Sequence, residues 1–158
     1  MQMDRERFSA LVMEHSGAMF RAARGVLDRD ADAEDAVGEA VLLAWRSRAQ
    51  LRDPAAVRPW LVKIAVNCAR SLRRRQGRVT YMEDLSDLPA PWEEPVSTLW
   101  DAVSCLPEGH RSVVVLFYYE DLTVEEIARL LRVPAGTVKS RLSRAREKLR
   151  AMLKEESE

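Results

Sequence analysis

Apolar residues recur every three to four positions along most of the chain, the spacing of one face of an amphipathic helix. In the first half this pattern predicts three helices, over about residues 4–27, 31–49 and 55–75. Asp30 or Asp32 is the predicted N-cap of the second helix, because a short acidic side chain can accept a hydrogen bond from the first turn. Gly38 weakens that helix by about 1 kcal/mol relative to alanine. No segment carries a strand signal, so the sequence predicts an all-α protein.

The helical pattern stops at residues 77–95, where glycine, three prolines and five acidic residues are typical of a linker. It resumes with helices predicted over about 96–105, from Leu106-Pro107-Glu108 onwards, after a capping box that begins at Thr123, and over about 135–153. We therefore predict two small helical domains, residues 1–76 and 96–158, joined by an acidic, proline-containing linker.

The charge of the chain is unevenly distributed although the formal net charge is zero. Residues 1–80 hold 15 Lys or Arg and 10 Asp or Glu, whereas residues 81–110 hold no basic residue and seven acidic ones. Residues 111–158 hold 10 basic and eight acidic residues. Two basic blocks around an acidic one suggest two ends that bind a polyanion and a middle that avoids it.

Several classes of protein are disfavoured by what the sequence lacks. No apolar run approaches the roughly 20 residues of a membrane helix, and the N-terminus has no apolar core of a signal peptide. Cys68 and Cys105 have no CxxC spacing, and His15 and His110 have no neighbours with metal-ligand spacing. No Gly-rich phosphate loop is present. We expect a reduced, cytoplasmic chain that is not an enzyme and needs no cofactor, metal or small-molecule substrate.

Residues 123–149 have the pattern of a helix-turn-helix: a short capped helix, a tight turn and a basic second helix. One side of the second helix is apolar, and small polar residues lie opposite, flanked by Lys139 and Arg144. The apolar side comprises Val138, Leu142, Ala145, Leu149 and Met152, and the opposite side comprises Gly136, Ser140, Ser143 and Glu147. This is the arrangement that a recognition helix needs in the DNA major groove, although a solvated charged face is the simpler alternative. Arg132 stands where such turns often place glycine, so either it adopts a positive φ or the turn differs.

The third predicted helix carries a second polar stripe beside its apolar side, made of Trp60, Lys63, Asn67, Arg70, Ser71 and Arg74. Cations follow phosphates, and an aromatic ring and an amide can hold unstacked bases. The alternative is that Trp60 belongs to the core and that Asn67 is a buried hydrogen-bonding group.

Four segments together resemble the extracytoplasmic-function sigma factors of bacterial RNA polymerase, over nearly the whole chain. They are residues 30–45 (DADAEDAVGEAVLLAW), 58–67 (RPWLVKIAVN), 106–108 (LPE) and 136–146 (GTVKSRLSRAR). The resemblance implies a two-domain initiation factor whose partners are core RNA polymerase, promoter DNA and an anti-sigma factor that is often anchored in the membrane.

The resemblance also implies roles for residues. The first domain would bind the polymerase clamp through Asp32, Asp35, Glu39 and Leu43. It would bind the −10 promoter element through the loop 51–59 and the helix that follows, with Trp60, Lys63, Asn67, Arg70 and Arg74 as candidates. The second domain would touch the polymerase flap and read the −35 element with Thr137, Lys139, Ser140, Ser143, Arg144 and Glu147. The acidic linker would follow the RNA path of the polymerase. The family usually has Gln at the position of Gly38, so the clamp contact would be weaker. It often has Asp at the position of Ser71, so any role of that carboxylate would be lost in this chain.

Two other kinds of function stay open on the residues alone. A free-standing repressor or response-regulator output would need no polymerase, but it would usually need an apolar dimer face beyond what the cores require. The first domain could also be a module that binds only protein. Copurification with core RNA polymerase would distinguish these functions from that of a sigma factor.

Overall fold

The computed structural model describes residues 3–80 and 98–156, and both described parts are helical without strands, as predicted. The chain divides into two compact units, Met1–Leu72 and Arg73–Glu158. Residues 81–95 of the predicted linker lie outside the described residues. No helix within the described parts is long and apolar enough to cross a membrane.

The first unit is built from α1 (Arg5–Val26), α2 (Asp30–Arg46) and the first part of α3 (Val57–Thr80), with short 3-10 turns at Arg48–Gln50 and Pro54–Ala56. Helices α1 and α2 pack against each other, and every buried residue of α2 is an alanine. At most 1% of the surface is exposed at each of Ala22, Ala23, Ala33, Ala36, Ala40 and Ala44. Helix α3 adds Leu61, Val62, Ala65, Val66 and Ala69 to the core.

The predicted N-cap of α2 is wrong. Arg29 occupies the N-cap position and makes no side-chain capping hydrogen bond, while Asp30 is already the first helical residue. The Asp30 carboxylate instead accepts a hydrogen bond of 2.9 Å from Nε of Arg24. The Arg24 guanidinium also donates to the Leu27 carbonyl oxygen at 2.9 Å, so it closes the turn between α1 and α2. The Asp30 carboxylate is therefore bound by the buried Arg24, whereas local capping rules predict that it accepts hydrogen bonds from backbone amides of the first helical turn.

Helix α3 is longer than predicted, because it continues through Gly77 to Thr80 and so includes the first four residues of the predicted linker. Glycine inside a helix costs only about 1 kcal/mol, which a helix with a well-buried side can tolerate. A Cβ atom at Gly77 would meet nothing within 4 Å, so no close packing requires glycine there.

The second unit contains α4 (Leu99–Ser104), α5 (Glu108–Val114), a π-helical turn (Val115–Tyr119), α6 (Val124–Leu131) and α7 (Ala135–Glu156). The predicted capping box is confirmed: the Thr123 hydroxyl accepts from the Glu126 amide at 3.1 Å, and the Glu126 carboxylate accepts from the Thr123 amide at 3.3 Å. Helix α7 contacts α4, α5 and α6 and is the central helix of this unit.

The turn between α6 and α7 keeps helix-turn-helix geometry despite its arginine. Arg132 adopts the left-handed conformation, with φ 58° and ψ 48°. The Val133 amide then donates to the Ala128 carbonyl oxygen at 3.0 Å and closes the end of α6. The first of the two alternatives for Arg132 is therefore the correct one, and the backbone strain is the cost.

Arg132→Gly should stabilise the helix-turn-helix by about 0.5–1 kcal/mol, because glycine reaches positive φ without a Cβ clash. Native-state hydrogen exchange of the α6 and α7 amides in the whole chain measures this locally. Arg129→Gly is the matched control, since Arg129 is an exposed residue inside the same helix. It should destabilise the motif by about 1 kcal/mol. Equal losses in both variants would contradict the role assigned to the Arg132 backbone.

Candidate nucleic-acid interface

Helix α7 is divided lengthwise into a buried side and an exposed side. Val138, Leu142, Ala145 and Leu149 are buried, with at most 9% of each exposed. Thr137 is half-buried, and the other predicted −35 contacts are exposed: Lys139, Ser140, Ser143, Arg144 and Glu147. The structure thus brings the six predicted residues together on the outer surface of one helix. It leaves small polar side chains in the middle of that surface and cations at its edges.

One edge of α7 lies over the start of α5. A Cβ atom at Gly109 would approach Nε of Arg141 to 3.5 Å, so the Arg141 side chain covers this glycine. Next to it, Nδ1 of His110 is buried and has no hydrogen-bond partner among the described residues. Burial lowers the pKa of His110, and the positive charges of Lys148, Arg144 and Arg141 lower it further. Sequence reasoning missed this contact, since no periodic pattern links residue 110 to a helix more than 25 residues away.

The other edge of α7 contacts the π-helical turn. Nε of Arg146 donates a hydrogen bond of 2.6 Å to the hydroxyl oxygen of Tyr118, and the guanidinium carbon lies 5.8 Å from the centre of the tyrosine ring. Arg146 belongs to the basic pattern recognised in the sequence, but Tyr118 was not singled out. Both edges of the candidate recognition helix are therefore held by α5 and the turn that follows it.

Helix α3 presents the second polar stripe. Lys63, Asn67 and Arg74 are exposed, whereas Trp60 and Arg70 are half-buried. The alternative that Asn67 is a buried amide is therefore wrong, because its side of α3 faces away from the core. Trp60 is half-buried, so it is neither a fully buried core residue nor a fully exposed one. The spacing of three and four residues keeps all five side chains along one strip of the helix.

Helix α2 carries an exposed acidic and apolar strip. Asp35 and Glu39 are exposed, Asp32 is half-buried and Leu43 is 39% exposed. Leu42, which was not among the predicted residues, is 60% exposed and lies one turn beyond Glu39. The sequence could have indicated Leu42, because it is a large apolar residue outside the pattern of buried alanines. A Cβ atom at Gly38 would meet nothing within 4 Å, so packing within this chain does not require glycine there.

No group of residues in the described parts has the geometry of a metal site. Cys68 is buried and Cys105 is half-buried, and neither forms a disulfide. The His15 ring lies 4.0 Å from the Glu14 carboxylate. The exposed polar surfaces of α2, α3 and α7 are the candidate binding surfaces of the described parts.

Comparison with known proteins identifies both units. The family model of sigma-70 region 2 matches residues 11–79, and that of sigma-70 region 4 matches residues 97–149. The chain belongs to the sigma-70 family. Within it, the chain is 32% identical to the ECF RNA polymerase sigma-E factor of Haemophilus influenzae, over 92% of this chain and 87% of that protein. It is 36% identical to the ECF RNA polymerase sigma factor SigM of Mycobacterium tuberculosis, over 95% of this chain and 79% of that protein. The resemblance to extracytoplasmic-function sigma factors is confirmed.

Solved structures show the same fold. The sigma factor RpoE from Bartonella quintana, solved in complex with the anti-sigma factor NepR, superposes with a TM-score of 0.71 at 24% identity, covering 93% of this chain and 96% of that one. CnrH, solved with the cytosolic domain of CnrY, gives a TM-score of 0.55 at 25% identity, covering 96% and 90%. In this sigma factor, region 2 includes α2 and α3, and region 4 includes the helix-turn-helix of α6 and α7.

The lowered pKa of His110 predicts that acid destabilises region 4. The unfolded chain takes up a proton at the ordinary histidine pKa of about 6.5, before the folded chain does, so protons favour unfolding. Stability should be constant above about pH 7.5, fall as the pH drops through about 6.5, and level off below the lowered pKa. Hydrogen exchange of the α5 and α7 amides, corrected for the intrinsic pH dependence of exchange, measures this fall.

His110→Gln should remove this fall, because glutamine does not titrate. His15→Gln is the matched control, since His15 is the other histidine of the chain and lies in region 2. An unchanged pH dependence in the His110→Gln variant would show that other titratable groups, and not the half-buried imidazole of His110, cause it.

Proposed function

We propose that this sigma factor directs core RNA polymerase to promoters whose −35 element is read by α7 and whose −10 element is held open by α3. The observation that carries the proposal is the division of α7: its apolar side is buried by α4, α5 and α6, and its small polar residues and cations face outward. Such a helix fits the major groove, since bulky side chains do not keep it from the base edges.

The chemistry of the exposed surface of α7 suggests a division of roles. Ser140 and Ser143 lie where the helix comes nearest to the bases. Arg144 at one edge can bind O6 and N7 of a guanine together through its planar guanidinium. Lys139 at the other edge offers a compact charge that suits a phosphate. Thr137 and Glu147 complete the surface at its two ends.

Helix α3 has the features needed to hold unpaired bases of the −10 element. The half-buried Trp60 can stack on an unstacked base, and the exposed Asn67 can hydrogen-bond to it. Lys63, Arg70 and Arg74 continue the strip and can follow the phosphates. Opening the duplex costs a few kcal/mol per unstacked base, and binding of the bases on this surface offsets that cost. The polymerase forms the phosphodiester bonds, and this chain contributes binding.

The exposed strip of α2 is the proposed contact with the polymerase clamp. Asp35 and Glu39 present carboxylates one turn apart, Asp32 extends this acidic surface, and Leu43 offers apolar contact beside them. The glycine at position 38 leaves a gap in this strip where the family usually has glutamine, so the contact relies more on the charges. The absence of a carboxylate at Ser71 likewise leaves base capture to Trp60 and Asn67.

The remaining assignments follow from the sigma-factor architecture. The first unit acts at the clamp and the −10 element, the acidic segment of residues 81–95 follows the RNA path, and residues 96–158 act at the flap and the −35 element. The protein works in the cytoplasm, where the polymerase is. An anti-sigma factor is its proposed inhibitor, because a sigma factor of the same fold, RpoE from Bartonella quintana, was solved in complex with one.

The proposal is tested by in vitro transcription with core RNA polymerase and a library of promoter sequences. We expect this chain to select a set of templates with separated −35 and −10 elements and to start transcripts from them. Asp35→Lys combined with Glu39→Lys should weaken capture of core polymerase at least tenfold without unfolding the chain, since exposed charges contribute little to stability. Glu6→Lys combined with Glu14→Lys, at two exposed positions of α1, is the control.

Two outcomes contradict parts of this proposal. Specific DNA binding without any transcript or polymerase capture would show a free-standing regulator. Unchanged capture by the α2 double variant would remove Asp35 and Glu39 from the clamp contact and leave the −35 assignment untouched.

Arg144→Ala should cost about 1–3 kcal/mol on the preferred −35 sequence and relax the preference at one base pair, because a bidentate contact to guanine is lost. Lys139→Ala should weaken binding similarly on all sequences and lower the salt slope by about one unit. The measurement is the affinity of the whole chain for single-base variants of the selected duplex at several salt concentrations. Equal losses on every duplex for Arg144→Ala would show that Arg144 contacts a phosphate.

A further inference from the structure

The contact between Tyr118 and Arg146 joins two residues 28 positions apart. Tyr118 is 50% exposed, so its ring is not a core residue. The Phe117 ring packs edge-on against it with the centroids 4.9 Å apart, which limits the movement of the tyrosine. An exposed tyrosine held on one side by an aromatic ring and on the other by a guanidinium has a defined position on the surface.

Tyr118 lies in the π-helical turn Val115–Tyr119. The Glu120 amide donates to the Val115 carbonyl oxygen at 3.2 Å, five residues back, and this widens the turn by one residue. Val115 and Leu116 are buried, whereas Tyr118 is exposed. Turns of this kind are often found at functional sites, where they redirect a side chain.

Arg146 lies on the same edge of α7 as Lys139, two helical turns earlier, and Arg150, one turn later. Its Nε–H is occupied by the Tyr118 hydroxyl. A guanidinium has five N–H donors, so the four on the two terminal nitrogens remain in a fork that matches a phosphate. The tyrosine ring, 5.8 Å from the guanidinium carbon, further restricts its orientation.

We propose that Tyr118 is a positioning residue that holds the Arg146 guanidinium ready to grip one backbone phosphate beside the −35 element. The inference rests on the proposed role of α7 as a recognition helix and adds a residue outside that helix to its function. A free arginine loses rotamer freedom when it binds, whereas an arginine already fixed by tyrosine has lost it on folding. Tyr118 therefore increases affinity without touching DNA and without reading a base.

The test compares the whole chain with Tyr118→Phe, Arg146→Gln and the double variant. The probes are the duplex selected in the transcription experiment and a scrambled duplex of equal length, each at several salt concentrations. Tyr118→Phe should lower affinity about fivefold on both duplexes with an unchanged salt slope, since the charge of Arg146 is kept. Arg146→Gln should lower the salt slope by about 0.9, and adding Tyr118→Phe to it should change nothing further.

Arg150→Gln supplies the matched control, because Arg150 is an exposed cation on the same edge of α7. Tyr118→Phe should keep its fivefold effect in the Arg150→Gln chain, and it should lose that effect in an Arg146→Lys chain, which keeps the charge but not the guanidinium. Hydrogen exchange of the α7 amides checks that the variants are folded.

Three outcomes overturn the inference: no loss with Tyr118→Phe, the same loss in the presence and absence of Arg146, or a loss confined to the selected sequence. A wild-type chain that binds neither duplex overturns both the inference and the proposed function. A chain that binds the scrambled duplex but starts no transcript with core polymerase overturns the proposed function alone, since the phosphate contact is still measured on the scrambled duplex.

Discussion

The second unit depends on a single constraint: α7 must bury one side and keep the other in water. Val138, Leu142 and Ala145 are covered by the three shorter helices of region 4, which have no other long partner in the described part of this unit. The burial decides which residues remain outside, and the outside residues are the candidate DNA contacts. Loss of the apolar side would therefore remove the fold and the proposed recognition surface together, whereas changes at Ser140 or Ser143 affect only the surface.

The constraint on the first unit is different, because α2 and α3 must each keep one strip exposed while they share one small core. The buried residues of α2 are all alanine, and the long side chains of this helix lie outside the core. The buried Arg24 then ties the turn between these helices to Asp30. Trp45 packs against Phe8 and under Arg48, so the end of α2 and the turn after it are also held before α3 begins.

Local features were predictable from the sequence, and contacts between distant residues were not. Helix periodicity and the Thr123 capping box depend on residues three or four positions apart, and the structure has both. The possible positive φ at Arg132 also follows from a local rule. The predicted N-cap of α2 was wrong because Arg24 competes for the Asp30 carboxylate. The predicted end of α3 was wrong because the free-energy cost of one glycine is too small to stop a helix. The six −35 candidates fall on one surface because a single helix carries them, whereas the positions of His110 and Tyr118 depend on how α5 packs on α7.

The alanines on the buried side of α2 have a consequence for how this fold can diversify. Methyl groups have no rotamers to adjust, so a larger residue at one of these buried positions would strain the packing around it. The exposed residues of α2 face no such restriction. Substitutions are therefore costly on the buried side of α2, whereas the exposed side can change residue by residue at little cost in stability. A lineage built on this fold can thus change its binding partners gradually while the scaffold that presents them stays the same.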